Sequence, residues 1–374
     1  MLGASGAVGR EAVRELRNLG YRGLRLGGRT GRALDALIEP GAGDEAHIVD
    51  VRDPSSLASF AKSCDLVVNC VGPAYELRAT VPAAALEAGA HCVDVGGDDP
   101  AMEDLTAPEA PRHKEPRSLV LSAGVLPGLS SILPAWLANQ GLDSVRSLVG
   151  YCGGLEPCSP TVAQDVLLSL LVGGADGAAY GESLAAWRGG RRRSQALRIV
   201  QDAPAPGFPD RVALQPYLSF ETQRLAARLG LESADWYNVY PGSRIRTLFG
   251  RLPGRLAEGA DRARLAEQMM LAARLDLVGR TPYYAMDFAL SGTGDGVPVT
   301  RRLTLRAPSS YRLTGMVAAW TGQAVLDGSV APGVHYACDV LDPEAVVRRL
   351  RASDAVERFE LDQGTDTSHE EGSL

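Results

Sequence analysis

Short apolar runs alternate with amphipathic segments along the first 120 residues of the chain. The apolar runs predict strands, which lie at 23–27, 46–51, 65–70, 91–95 and 118–122. The amphipathic segments predict helices, which lie at 10–18, 32–38 and 80–88. Strands that alternate with helices in this way are typical of a doubly wound parallel sheet with helices on both faces.

The pattern changes from about residue 144 onward. Runs that alternate polar and apolar residues predict strands at 147–152, 237–240, 283–290 and 299–306. Helices are predicted between and after these strands, at 161–171, 219–229, 262–278, 311–327 and 343–351. Stretches rich in glycine, arginine or proline predict loops around 108–116 and at 173–193 and 202–209. The fold class is therefore α/β, a doubly wound parallel sheet joined to a second α+β domain with a mainly antiparallel sheet.

A glycine-rich loop opens the chain, with G-x-x-G-x-x-G spacing over residues 3–9. Gly3 permits a tight turn, Gly6 lets the backbone approach a pyrophosphate, and Gly9 lets helix and strand pack closely. The N-terminus of the following helix would face the phosphates. Because helix and strands follow in register, the loop predicts a Rossmann dinucleotide-binding domain rather than a chance turn. The residues expected around the phosphates are Gly3, Ser5, Gly6, Ala7, Val8 and Gly9. With two residues before the loop, the first strand is expected to be short.

The end of the second predicted strand discriminates between the two nicotinamide cofactors. NAD enzymes usually place Asp or Glu there to bind the ribose hydroxyls. Residues 24–30 contain no acid, and Arg29 with Thr30 stands where a 2′-phosphate would lie. Since a guanidinium matches phosphate oxygens, the sequence predicts NADP. The alternative is that Arg29 is an exposed loop arginine.

The ends of the third and fourth predicted strands complete the expected cofactor site. Asp50 and Val51 close the third strand and are expected beside the adenine. Cys70-Val71-Gly72-Pro73 closes the fourth strand. Because ligands bind beyond the carboxyl ends of parallel strands, this turn is expected to touch the ribose or nicotinamide side of the cofactor.

The composition limits the classes of function. A net charge of −7 argues against a protein that binds nucleic acid by neutralising phosphates. No apolar run reaches the length of a membrane span, and no secretory signal is visible. The six cysteines show no zinc-type spacing, and no His, Asp and Glu cluster indicates a metal. These features predict a cytoplasmic protein with no metal and with neither nucleic acid nor membrane as a partner.

Several ordered motifs resemble the saccharopine dehydrogenase/reductase family. They lie at 69–75, 88–94, 124–130, 151–155 and from 311–314 to 332–336. The resemblance runs through about residues 1–360 and is weak over 160–280. It implies a Rossmann domain that binds NADP, an α+β domain for substrate and dimer contacts, and reversible hydride transfer between an amine and an imine. The predicted Rossmann domain spans 1–125, and the α+β domain spans 126–310. A C-terminal segment at 311–360 is expected to return to the Rossmann domain, and a disordered tail is expected at 361–374.

The chain departs from the family at Leu126, where the Gly-x-Asp-Pro-Gly turn of saccharopine reductase carries an Asp. An apolar side chain there raises the cost of burying a charge nearby. The departure predicts a pocket that is apolar at this point and a substrate with little charge at its reacting nitrogen.

Four residues are candidates for the chemistry. Cys152, carried over from the family's Cys-Gly-Gly-Leu segment, would donate a proton or shape the pocket, or else be a buried strand cysteine. Asp98 and Asp99 follow the fifth strand and would orient the substrate or act as acid, or else cap a helix near Pro100. Tyr75 would reach a substrate nitrogen or pack beneath the cofactor.

The sequence thus predicts a homodimeric NADPH-dependent reductase of a C=N bond, acting in specialised metabolism. Its substrate is expected to be a small-molecule or carrier-bound imine, such as a cyclic or thiazoline-type imine. One alternative is a saccharopine-type dehydrogenase of an amino-acid-derived secondary amine. Another is a non-catalytic protein that binds NADP as a sensor.

Overall fold

The computed structural model describes residues 1–172, 180–249 and 261–362. Its first domain is built on parallel strands: β1 (Arg25–Gly28), β2 (Glu45–Ile48), β3 (Leu66–Asn69), β4 (His91–Asp94) and β5 (Ser118–Leu121). Leu2 is a one-residue first strand, which bridges Gly27 on one side and Asn69 on the other. The sheet is thereby continuous from β2 to β5, and the carboxyl ends of its strands point to one edge.

Helices cover both faces of this sheet. They are α1 (Ala7–Asn18), α2 (Gly31–Asp35), α3 (Pro54–Ala61), α4 (Ala74–Leu77), α5 (Thr80–Glu87) and α6 (Asp98–Thr106). The predicted Rossmann architecture is confirmed. The sequence pattern did not predict α6, which carries Pro100 in its first turn, where proline is tolerated. The loop predicted around 108–116 agrees with the structure, because α6 ends at Thr106 and β5 begins at Ser118.

The second domain is a mixed sheet whose edge strands are β10 (Val200–Ala203) and β16 (Arg358–Asp362), in the order β10-β11-β12-β6-β13-β14-β16. Its central strands are β6 (Ser144–Leu155), β11 (Val212–Ser219), β12 (Ser233–Tyr240), β13 (Tyr283–Gly294) and β14 (Val297–Ala307). β12 pairs with β6 in parallel, and the other neighbours along this order are antiparallel. The prediction of a mainly antiparallel sheet therefore agrees with the structure.

Three short strands lie within a predicted loop: β7 (Gly181–Ser183), β8 (Ala186–Arg188) and β9 (Arg191–Arg193). A fourth, β10 (Val200–Ala203), overlaps the first two residues of the next predicted loop. Glycine and arginine in this part of the chain carry no strand periodicity. The strands form because β7 and β10 pair with β11 while β8 pairs with β12, so their hydrogen bonds come from distant residues. Residues 173–179 of the predicted loop lie outside the described residues.

Helices of the second domain pack on this sheet and on each other. They are α7 (Leu129–Ala138), which the sequence pattern did not predict, α8 (Pro160–Val172), α9 (Phe220–Arg228) and α10 (Arg262–Asp276). A small apolar cluster that includes Ala163, Leu265 and Met269 joins α8 to α10. α7 is buried on nearly all sides, within an apolar core that continues into the first domain.

The C-terminal part of the chain contacts both domains. α11 (Ser310–Leu326) packs along α1, where a Cβ on Gly315 would lie 2.5 Å from the Ala12 nitrogen, so only glycine fits. β15 (Gly333–Tyr336) adds a parallel strand beside β5. After α12 (Ala337–Val340) and α13 (Pro343–Ala352), β16 (Arg358–Asp362) pairs with β14 of the second sheet. The strand includes the first two residues of the predicted tail, and 363–374 lie outside the described residues.

Candidate active site

The glycine loop has the geometry of a phosphate-binding turn. Gly3 has a φ of +72°, and a Cβ there would lie 2.8 Å from the Cys70 carbonyl oxygen. A Cβ on Gly9 would lie 2.0 Å from the Gly3 carbonyl oxygen, so this position also excludes a side chain. Gly6 is the N-cap of α1 and provides no side-chain cap, which leaves the first N–H groups of the helix available to an anion.

A cleft of about 690 Å³ extends from this loop, past the carboxyl ends of β3 and β4, into the second domain. Predicted site residues that line it are Gly6, Ala7, Val8, Arg29, Cys70, Val71, Gly72, Tyr75, Asp98 and Cys152. Predicted residues outside its lining are Gly3, Ser5, Gly9, Thr30, Asp50, Val51, Pro73 and Asp99. The structure therefore brings together the cofactor loop and most of the candidates for chemistry.

Arg29 lies at the end of β1, beyond the glycine loop. Its side chain is exposed and forms no ion pair with another described residue. It is the one basic residue among the described ones that line the cleft. An unpaired guanidinium beside an open helix N-terminus fits the 2′-phosphate of NADP. Asp50 is further away, and its carboxylate accepts a hydrogen bond from the Arg52 backbone nitrogen at 3.0 Å.

A buried pair of side chains fixes the two turns that follow β3 and β4. The Asn69 amide donates to Asp94 Oδ2 at 2.7 Å, and the Gly96 nitrogen donates to Asp94 Oδ1 at 2.8 Å. Asn69 Oδ1 in turn accepts from the Val71 nitrogen at 3.0 Å. Burial raises the pKa of Asp94 to about 6. Asp94 and Asn69 thus hold the cleft floor without lining it.

Asp98 and Asp99 face in different directions. Asp98 has a φ of +46° and is 7% exposed, and Arg224 of α9 donates to its Oδ1 at 2.7 Å. Burial raises the pKa of Asp98. Asp99 is held outside the cleft lining by Arg224 and by the Tyr336 hydroxyl. The alternative that either residue caps a helix is wrong, because Gly97 is the N-cap of α6 and both lie in its first turn.

Tyr75 belongs to a group of three tyrosines on the cleft wall. Its ring packs edge-on against Tyr180, and Tyr217 lines the same cleft. Tyr180 also donates to the Tyr75 carbonyl oxygen at 3.4 Å. Burial raises the pKa of Tyr75 and that of Tyr217 above the ordinary value, so both hydroxyls stay protonated.

Cys152 lies in the middle of β6, opposite Asn238 of β12 and Met286 of β13. It is 2% exposed, and burial raises the pKa of its thiol well above the ordinary value. A thiol in this state is neutral, and it is a weak acid as well as a weak nucleophile. Its placement satisfies both the catalytic expectation and the alternative of a packed strand cysteine, so its role stays a prediction.

Carboxylates that the sequence reasoning missed line the second-domain side of the cleft. They are Glu156, Asp165, Glu221 and Asp276. Burial raises the pKa of Asp165 and of Glu221 to about 7 in each case. Glu221 accepts from the Gly128 nitrogen at 2.7 Å and from the Ser130 hydroxyl at 2.5 Å. No local motif marks these residues, since they come from helices and loops that meet only in the folded chain.

Comparison with protein families assigns the first domain. Residues 1–118 match the family model described as the saccharopine dehydrogenase NADP binding domain. The match confirms the resemblance and the NADP cofactor that the sequence predicted.

Curated proteins and a solved structure extend the similarity. A probable mitochondrial saccharopine dehydrogenase-like oxidoreductase of Arabidopsis thaliana is 30% identical over 137 residues, which are 33% of this chain and 30% of that protein. A mouse saccharopine dehydrogenase-like oxidoreductase is 33% identical over 78 residues, 20% of this chain and 18% of that protein. The chain thus aligns with less than a third of either relative's length.

Over the whole chain, the fold is that of the L-glutamate-forming saccharopine dehydrogenase of Saccharomyces cerevisiae. The TM-score is 0.66 at 17% identity, and the alignment covers 96% of this chain and 98% of the yeast chain. This similarity extends beyond the NADP-binding domain and shows that the second domain shares the architecture. In the described part of the chain, no helix is long and apolar enough to cross a membrane.

Proposed function

We propose that this protein is an NADPH-dependent reductase of a C=N bond. The observation that carries the proposal is the acidic lining of the cleft: five carboxylic side chains line it, and Arg29 is the one basic residue among the described lining residues. A protonated C=N group is positively charged and is stabilised by carboxylates. Reduction of a C=O group instead forms an oxyanion, which this lining would disfavour.

The pocket expected around Leu126 has an acid beside it. Leu126 lines the cleft, and Glu221 of α9 reaches the same turn by accepting from the Gly128 nitrogen. Burial raises the pKa of Glu221 to about 7, so this carboxyl group is partly neutral at neutral pH. A substrate with little charge at its reacting nitrogen therefore stays a prediction.

Each part of the chain has a definable task in this reaction. NADPH, when bound, supplies the hydride. The open N-terminus of α1 and Arg29 would hold its phosphates. The Asn69–Asp94 pair keeps the turns after β3 and β4 in place. Tyr75, Tyr217 and Cys152 shape the wall opposite and exclude water from the reacting atoms.

The chemistry can be tested with NADPH oxidation measured at its nicotinamide absorbance. The acceptors are 2-methyl-1-pyrroline, a 2-thiazoline, and aminoadipate semialdehyde with glutamate. Turnover of a cyclic imine or a thiazoline is expected. Turnover of the semialdehyde–glutamate pair alone would favour the saccharopine-type dehydrogenase instead. Tight NADPH binding without oxidation by any acceptor would favour a sensor. The homodimer and the cytoplasmic location also stay proposals, and light scattering on the purified protein tests the former.

A further inference from the structure

We propose that Asp165 is the proton donor of this reduction, an assignment that rests on the proposed function. Asp165 lies on α8 of the second domain and lines the cleft. The sequence did not predict a role for it, because the pattern of α8 is that of an apolar helix, and a single acid in such a helix does not indicate a site. The reason for the assignment is where the folded chain puts its carboxyl group.

The carboxyl group of Asp165 is fixed against the turn that follows β3. Its oxygens accept hydrogen bonds from the backbone nitrogens of Ala74 and Tyr75, the latter at 3.3 Å. A Cβ on Gly72 would lie 3.5 Å from Asp165 Oδ2. Gly72 is the position that the sequence assigns to the ribose or nicotinamide side of the cofactor. The acid is thus held next to the place where the hydride is delivered.

The other carboxyl groups of the cleft are each occupied by another contact. Asp98 pairs with Arg224, and Glu156 accepts from the Ser310 nitrogen and hydroxyl. Asp276 accepts from the nitrogens of two residues that begin a helical turn at 243–249. Glu221 bonds the turn at Gly128. Within the described ranges, neither Asp165 nor Asp276 pairs with a cation. Of the two, Asp165 lies against the turn after β3, whereas Asp276 lies against residues of the second domain.

The surroundings of Asp165 favour its protonated form. The groups that face it from the first domain are Glu76, Asp94 and Tyr75, and Tyr180 faces it from the second. None of them is a cation. Burial is the main reason why the pKa of Asp165 rises to about 7. An acid with this pKa is partly protonated at neutral pH and regains its proton from water after each turnover, which is what a general acid requires.

The proposed step balances as follows. The Asp165 carboxyl group first gives its proton to the neutral imine nitrogen, which leaves an iminium ion beside the Asp165 carboxylate. The iminium carbon then takes a hydride, with its electron pair, from NADPH, and the π electrons of the C=N bond move to nitrogen. The products are the amine, NADP⁺ and the Asp165 carboxylate, which regains a proton from solvent through the cleft.

The test compares the wild type with Asp165→Asn and Asp165→Glu, and uses Asp202→Asn, an exposed residue outside the cleft, as the matched control. With 2-methyl-1-pyrroline, kcat/KM of the wild type should fall above about pH 7, while Asp165→Asn should lose this pH dependence and about 100-fold or more in kcat. Asp165→Glu should restore part of both. NADPH affinity should stay within about twofold in every variant, because α8 does not hold the phosphates.

A second readout needs no turnover. Binding of 2-methylpyrrolidine, as its ammonium ion, to the NADP⁺-loaded protein is followed by calorimetry at several pH values. In the wild type, the affinity for the ammonium ion should rise with pH through about 7, where Asp165 ionises. In Asp165→Asn, the affinity should not change with pH, and at high pH it should be about tenfold weaker than in the wild type. An active wild type with an unchanged pH profile and unchanged amine binding in Asp165→Asn overturns the role of Asp165 alone. If the wild type fails to oxidise NADPH with every C=N acceptor tested, the proposed function itself is overturned.

Discussion

Arg224 of α9 joins the two domains by binding Asp98 of α6 at 2.7 Å. The same guanidinium also holds Asp99 and lies over the Tyr336 ring at 3.8 Å. Its side chain is 29% exposed, and that of Asp98 is 10% exposed. One cation thus compensates two carboxylates at the entrance to the candidate site.

Replacing Arg224 by methionine should therefore destabilise the fold. The change leaves two carboxylates close together with no compensating charge, and we expect a loss of about 2 kcal/mol in the free energy of unfolding, discounted for partial exposure. Urea unfolding measures it. The matched control is Arg228→Met, one turn along the same helix, whose pair with Asp339 is exposed on both sides and should cost at most about 0.5 kcal/mol. Equal costs would show that Arg224 is an ordinary surface contact.

Glu221→Gln should remove a pH dependence of stability. The pKa of Glu221 is about 7 in the folded chain against an ordinary 4.5, mainly because of burial. The folded state then holds a proton that the unfolded state has lost, so this contribution is complete below about pH 4.5 and disappears as the pH rises through about 7.

Relative to the wild type, Glu221→Gln should be more stable at pH 8 than at pH 5, by an amount on the order of 2 kcal/mol. The glutamine keeps an oxygen for the Gly128 nitrogen. Urea unfolding at both pH values measures the difference, and Glu103→Gln on an exposed position is the control. The same pH response in wild type and Glu221→Gln would contradict a protonated Glu221.

Arg29→Ala should weaken NADPH binding selectively. The guanidinium lines the cleft with no ion-pair partner in the described ranges, so its loss removes only a contact to the 2′-phosphate. We expect NADPH affinity to fall by about 2 kcal/mol and NADH affinity to change little. Isothermal titration with both cofactors measures this, with the exposed Arg14→Ala as control. Equal affinity of the wild-type protein for NADPH and NADH would argue against the role of Arg29.

Gly72→Ala should disturb the contact between the two domains. A Cβ on Gly72 would lie 2.3 Å from Thr161 Cγ2, so α8 has to shift. We expect a loss of about 1–3 kcal/mol in stability, which Thr161→Ser should largely recover in the double variant by removing that methyl group.

The control for this pair is Gly31→Ala, where a Cβ meets the Ile48 side chain at an ordinary 3.7 Å. It should change the free energy of unfolding by less than about 0.5 kcal/mol. If the double variant is no more stable than Gly72→Ala alone, the methyl group of Thr161 is not the cause.

The sequence by itself determined the Rossmann domain and its cofactor. The glycine spacing of residues 3–9, the apolar strands and the acid-free strand end at Arg29 are local patterns, and each has one dominant physical interpretation. The long strands of the second domain were predictable for the same reason, because a period of two persists over many residues.

Only the tertiary structure decided which acids face the cleft. Asp98 and Asp99 are neighbours in the chain, yet Arg224 holds both and only Asp98 lines the cavity. Asp165 and Glu221 are separated from the cofactor loop by more than 150 residues and carry no motif. Their proximity arises because α8 and α9 are packed against the first domain by non-local contacts, and their raised pKa values arise from burial. A local sequence pattern predicts neither the packing partners of a helix nor the burial of its acids, because both depend on chain segments that meet only after folding.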